Sequence, residues 1–405
     1  MLKRRDVEVR VVTSQAADRS FISDIENLGI ATFGVPHRLR GSAAKYPDLN
    51  VERYAELIKS SDVVWITDLE YLCAPRIKRI DRSKPVVAHI TSNRLACPGP
   101  NAAYGMSETC TENCSHSLRR FARCRKLSKQ YLRRWHWSPE RMRHWSSQKM
   151  RLYEVLNFPK SCVDFIDFPI QRSDKVFESI DGFVALSEFT RDLMRIHLPQ
   201  LNDAPIEVVP NPVTMPEPID PIPDQGSSRR RSVLYTAGPW VNKGPHIVLY
   251  AIRKLVDEGS KELTLTMLGV QGNGWIKSLV ERLQIEKHVR LLSGWLPKPQ
   301  VGALMSNSAV VLLPYLTPEP FPRVSIEANL MGSPVVVSNR GALPDLIVDN
   351  VTGFVAEPSV EAFAKSTDNA LKRNWNRELI AQTAKAHFDP ERITDKLLRA
   401  LEAFA

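Results

Sequence analysis

Residues 310–338 read Val310-Val-Leu-Leu-Pro-Tyr-Leu-Thr-Pro-Glu-Pro-Phe-Pro-Arg-Val-Ser-Ile-Glu-Ala-Asn-Leu-Met-Gly-Ser-Pro-Val-Val-Val-Ser338. The apolar run Val310 to Leu313 predicts a buried strand, and the prolines that follow break it into a loop. Val324 to Met331 has helical period, Gly332 and Pro334 stop the helix, and Val335-Val-Val starts another strand. A strand, a crossing helix and a second strand make a βαβ unit, which requires a parallel sheet covered on both faces.

The same alternation extends outward in both directions. Ser232 to Thr236 predicts a strand, followed by helical spacing at Ile247, Ala251, Ile252 and Leu255. Leu263, Leu265 and Met267 alternate as a strand, and Ile276, Leu279, Val280 and Leu283 return to helical period. In the first half the candidate strands are Val7 to Thr13, Val63 to Thr67, Pro85 to Ile90, Gly182 to Leu186 and Ile206 to Val209. Phe21 to Leu28 and Arg191 to His197 fit helices between them. Six prolines from Pro210 to Pro223, followed by Gln225-Gly-Ser-Ser, predict a semi-rigid linker. The chain is therefore expected to hold an α/β domain over 1–209, a linker over 210–228, a second α/β domain over 229–385 and a closing helix over 386–405. Ligands of open parallel sheets bind beyond the carboxyl ends of the strands, so two such domains place a site in the cleft between them.

Composition narrows the class. The chain has 405 residues, 43% hydrophobic and 25% charged, which fits a globular protein and neither a disordered nor a fibrous one. No apolar run approaches the roughly 20 residues of a membrane-spanning helix, and no signal-peptide pattern opens the chain. A cytoplasmic protein, attached at most to the inner face of the membrane, is the expectation.

Glu319 and Glu327 lie eight positions apart, up to about 12 Å at helical rise. That separation suits a nucleotide sugar lying across the helix start, with its diphosphate near the positive end of the helix dipole. The stretch resembles the E-x7-E motif of the retaining family 4 glycosyltransferases. Ala328, Gly332-Ser-Pro-Val-Val-Val, Gly341, Leu343-Pro-Asp-Leu-Ile and Thr352-Gly-Phe-Val continue that family's pattern in order. Upstream, Gly238 with Lys243-Gly244, Leu268-Gly269, Gly294, Ser187-Glu-Phe-Thr and Val208-Val-Pro-Asn-Pro-Val are similar to it as well. The resemblance is specific from about residue 180 onward and loose before it.

It implies the GT-B fold, two doubly wound Rossmann-like domains facing a central cleft, and transfer of a hexose from a nucleotide diphosphate sugar to a glycan or lipid-linked acceptor. It also implies retained configuration, no bound metal and no cofactor, and the sequence contains no Asp-x-Asp pair. Residue by residue it places Glu319 on the donor sugar, Glu327 on the ribose and Lys243 on the diphosphate. Gly238, Gly294, Arg323 and Val324 become further donor contacts, and His89 a first-domain partner of the donor sugar. A non-catalytic nucleotide-sugar-binding protein and a sugar-nucleotide epimerase are the alternatives.

Departures from the pattern are local. Pro239 stands where the family often has an arginine, the Gly238-to-Lys243 segment is about one residue short, and Pro322 replaces a usual glycine; Arg323 offers compensating charge. Residues 1–13 resemble the family's first helix end and second strand. The first strand and its glycine loop have no counterpart, which predicts two interior strands lacking a hydrogen-bonding neighbour. Either the start lies upstream of Met1 or this is a reduced member.

Cys97, Cys110, Cys114 and Cys124 cluster without zinc-ribbon spacing, in an insertion expected over 97–151; isolated thiols or a metal site both fit. Between Arg119 and Arg151 stand twelve basic residues and one acid, Glu140. This segment carries +11 against a chain total of +10, so the remainder is nearly neutral. With Trp135, Trp137 and Trp145 interspersed, it suits an anionic membrane surface or lipid-phosphate acceptor, and equally a solvated helical face. Nucleic acid is disfavoured, since no recognition motif accompanies it.

Overall fold

The computed structural model describes residues 7–14, 31–35, 51–67, 73–92, 103–104, 108–109, 174–215, 231–270, 274–292 and 296–405. Gly294, the four clustered cysteines, the 119–151 basic segment, the Phe21–Leu28 helix and linker residues 216–228 lie outside the described residues.

The second half holds a six-stranded parallel sheet. Its strands are β9 (Ser232–Tyr235), β10 (Thr264–Leu268), β11 (Val289–Leu292), β12 (Val310–Leu313), β13 (Val335–Ser338) and β14 (Gly353–Ala356). The order is β11-β10-β9-β12-β13-β14. The chain winds outward from β9 in one direction and from β12 in the other, so the topological switch point lies between these two neighbours.

Alternation assigns the core. Val233, Tyr235, Val310, Leu312 and Val336 enter one apolar layer, whereas Leu234, Val311, Leu313, Val335 and Val337 enter the other. The expected helical positions Ile247, Ala251, Ile252 and Leu255 are all buried on the helix Pro245–Asp257. The helix predicted from Val324 runs Arg323–Leu330, one residue earlier at each end.

The first half contains β1 (Arg10–Ser14), β2 (Ala31–Val35), β3 (Val64–Thr67), β4 (Val86–Ile90), β5 (Ala103–Tyr104), β6 (Glu108–Thr109), β7 (Gly182–Ala185) and β8 (Ile206–Val208). Four of them form a parallel sheet of order β3-β4-β7-β8, while β1 pairs with β2 in a separate parallel pair. In the second sheet β9 bridges β10 and β12. A strand in the corresponding position would join β1 to β3, and among the described residues none does.

One face of the four-stranded sheet meets the second domain. Val86, Ala88, Ile90 and Phe183 point into the first domain's own core. Their neighbours Val87, Val184 and Leu186 pack with Phe321, Ile326, Phe388, Ile393 and Leu401 from the second half. The closing element is two helices, Arg377–Phe388 and Pro390–Phe404, rather than one from 386. Asp389 caps the second through the Arg392 amide, and Pro390 occupies its first turn, a combination that starts a new helix. This last helix returns to the first domain, where Phe404 fills the space over Gly182 that any side chain would occupy. Among the described residues no helix is long and apolar enough to cross a membrane.

Leu401, 9% exposed in the shared cluster, tests this junction. Leu401→Ala is expected to cost about 2–4 kcal/mol, read as a lower urea midpoint.

Candidate active site at the sheet switch point

Two loops leave the carboxyl ends of adjacent strands and lock together. The first follows β9: Gly238, with φ of +81°, turns the chain, and residues Val241–Lys243 form a single turn of 3-10 helix. Gly244 follows with φ of +70°. A Cβ there would lie 2.1 Å from the Pro314 carbonyl oxygen, so only glycine lets the second loop come this close. The second loop follows β12. Leu316 N–H donates to the Asn242 carbonyl at 2.8 Å, and the Asn242 side-chain amide donates to Thr317 Oγ1 at 3.4 Å.

This contact brings Lys243 and Glu319 together across the switch point. Lys243 Nζ lies 2.8 Å from Glu319 Oε1, both side chains about one-fifth exposed. Nζ also stands over the Tyr315 ring, 4.1 Å from its centroid. The ring face attracts the same ammonium through its quadrupole.

A third loop supports Glu319 from below. Ala342 N–H donates to the Glu319 carbonyl at 3.0 Å. Gly341, at φ of +60°, leaves no room for a Cβ, which would sit 2.4 Å from Glu319 N. From the first domain, Ser187 Oγ accepts from Thr190 N–H, capping its own helix, and donates to the Pro320 carbonyl at 2.8 Å. A first-domain hydroxyl thus holds the backbone beside Glu319.

Glu327 is half-buried on the helix Arg323–Leu330. Burial pushes the Tyr315 phenol far above its ordinary range, and the negative charges of Glu319 and then Glu327 push it further. Both glutamates therefore act on one buried ring. The helix begins at Pro322 without a side-chain cap, and the positive end of its dipole favours a nearby anion; Arg323 is exposed there and Val324 is half-buried. His246, behind Gly244, is fully buried, and desolvation lowers its pKa to about 3, so it stays neutral and adds no charge beside Lys243.

His89 lies on β4, partly buried, with its ring 5.2 Å from that of Trp65. By alternation it shares the sheet face of Val87, the face toward the second domain. The structure thus joins Lys243 and Glu319 directly, places Glu327 nearby and sets His89 on the facing sheet. Gly238 shapes the Lys243 loop rather than offering a side chain. Sequence reading missed Tyr235, the last residue of β9, and Tyr315, in the loop two residues past β12; both look like core residues.

Comparisons with known proteins agree with this fold. HepE from Anabaena, solved with UDP, superposes with a TM-score of 0.63 at 17% identity, covering 97% of this chain and 92% of that one. A glycosyltransferase from Rickettsia africae gives a TM-score of 0.65 at 15% identity, over 100% of this chain and 92% of that one. The fold is GT-B. Residues 227–387 of this GT-B chain match the family model of glycosyl transferases group 1, and that interval contains Gly238, Lys243, Glu319 and Glu327. Spore coat protein SA of Bacillus subtilis (strain 168) is 25% identical over 190 residues, 44% of this chain. The matched region spans 50% of that relative's length.

Gly341→Ala is expected to destabilise the chain by about 1–3 kcal/mol and to displace Glu319. Urea denaturation checks the first effect. Loss of the 2.8 Å contact to Lys243 in a crystal structure of the variant checks the second.

Proposed function

We propose that this chain is a retaining, metal-independent glycosyltransferase of the family 4 type, moving a hexose from a nucleotide diphosphate sugar to a glycan or lipid-linked acceptor. The observation that carries this reading is the Lys243–Glu319 pair at the switch point, 2.8 Å apart beside an uncapped helix start. HepE, with the same fold, has been solved with UDP-glucose.

In this reading the donor exchanges partners with the pair. Its diphosphate takes Lys243 and the helix start, while Glu319 turns to the hydroxyls of the donor sugar and Glu327 to the ribose. The anomeric C–O bond to the diphosphate breaks, with its electrons passing to the leaving oxygen, where Lys243 offsets the developing charge. The acceptor oxygen bonds to the same face of the anomeric carbon, and its proton passes to the departing phosphate oxygen. Glu319 and His89 contact the donor sugar from the two domains, and Arg323, Val324 and Gly238 line the donor's path. The +11 charge of residues 119–151 suits a phosphate-bearing lipid acceptor at the inner surface of a membrane.

The test is a panel of nucleotide sugars scored by thermal shift and by donor hydrolysis, repeated with Glu319→Ala. One donor is expected to stabilise the wild type and to be hydrolysed, with hydrolysis reduced at least about a hundredfold in the variant, on the scale of losing one transition-state contact. Equal hydrolysis by both proteins would refute the site. Glu319→Gln, which removes the charge competing for Lys243, is expected to bind the free nucleoside diphosphate about three- to tenfold more tightly, measured by calorimetry.

Among the described residues β1 and β2 pair apart from the four-stranded sheet, which favours one second reading, a GT-B protein that binds a nucleotide sugar without turning it over. Thermal stabilisation without hydrolysis or transfer on the same panel would select it.

A further inference from the structure

We propose that Tyr315 is a positioning residue for Lys243, holding the ammonium at the diphosphate site during the interval in which Glu319 has left it for the sugar. The proposal rests on the reading of Lys243 as the diphosphate ligand. Once Glu319 turns to the donor, the lysine loses its ionic partner, and a four-carbon stem with free rotors has many other places to point.

Three features make Tyr315 fit for holding it. The ring lies 4.1 Å below Nζ, within cation–π reach. It is 2% exposed and packed with Leu234, Leu313, Ala328 and Leu343, and Tyr315 N–H donates to the Leu313 carbonyl at 2.9 Å, so it cannot swing away. Its phenol stays protonated, because burial and the two glutamates oppose ionisation. An aromatic face differs here from a carboxylate: it attracts the ammonium without cancelling the charge that a diphosphate must meet.

The backbone is held from the other side. Tyr235, fully buried at the end of β9, donates its hydroxyl to the Gly238 carbonyl at 2.6 Å and lies 3.4 Å from that of Lys243. Tyr235 therefore ties the two ends of the loop together, and Tyr315 fixes the charged head that the loop carries.

The experiment uses the full chain and six probes, UDP, GDP and ADP with the matching monophosphates, titrated by calorimetry. Tyr315→Leu is expected to weaken the diphosphate that binds the wild type about tenfold, and its monophosphate by less than twofold. Tyr315→Phe, which keeps the ring, restores most of the affinity. In a Lys243→Met background Tyr315→Leu has no further effect on the diphosphate. Replacing Tyr315 with a ring-fluorinated tyrosine keeps the shape and weakens the quadrupole, so it gives an intermediate loss even where Tyr315→Leu fails to fold.

Equal weakening of mono- and diphosphate, wild-type affinity in Tyr315→Leu, or an undiminished effect in the Lys243→Met background would overturn the positioning role alone. If no nucleoside diphosphate binds the wild type, the diphosphate reading falls, and this proposal with it.

Discussion

The site depends on the contact between the loop after β9 and the loop after β12. Gly244 admits the Pro314 carbonyl where any other residue would exclude it, and the Leu316–Asn242 hydrogen bond then fixes the two backbones. Everything else follows from that approach. Lys243 and Glu319 lie 76 positions apart in sequence, yet their loops emerge from neighbouring strands on either side of the switch point. A parallel sheet that winds outward from its middle leaves a crevice there, and the charges line it.

The first domain takes part through the same region. Ser187 reaches the Pro320 carbonyl, one residue past Glu319, and Phe321 and Ile326 belong to the apolar cluster that the two domains share. The stretch holding Glu319 is therefore gripped from three directions: by Gly341 and Ala342 below, by the Lys243 loop beside it, and by Ser187 from the facing domain.

Much of this was legible in the chain itself. Runs such as Val310 to Leu313 and Val335 to Val337 are apolar on both parities, which only a strand covered on two faces tolerates. The glutamate spacing and the Lys243-Gly244 pair marked the site. The bend that separates the last two helices was also written, in Asp389-Pro390, although a single closing helix over 386–405 was expected. Tyr235 and Tyr315 were not legible. Tyr235 ends a strand and Tyr315 stands in the loop just past one, and nothing in local sequence says that the first ties a loop together or that the second has a lysine over it.

The sequence by itself determined the βαβ alternation, the double-domain plan and the identity of the charged residues, because hydrophobic period and glycine or proline placement act over a few residues. Only the tertiary structure decided that Lys243 pairs with Glu319, that Tyr315 lies beneath the pair, and that His89 shares the sheet face turned toward the second domain. Those relations come from strand order and interdomain packing. Both are contacts between distant segments, which no local pattern encodes.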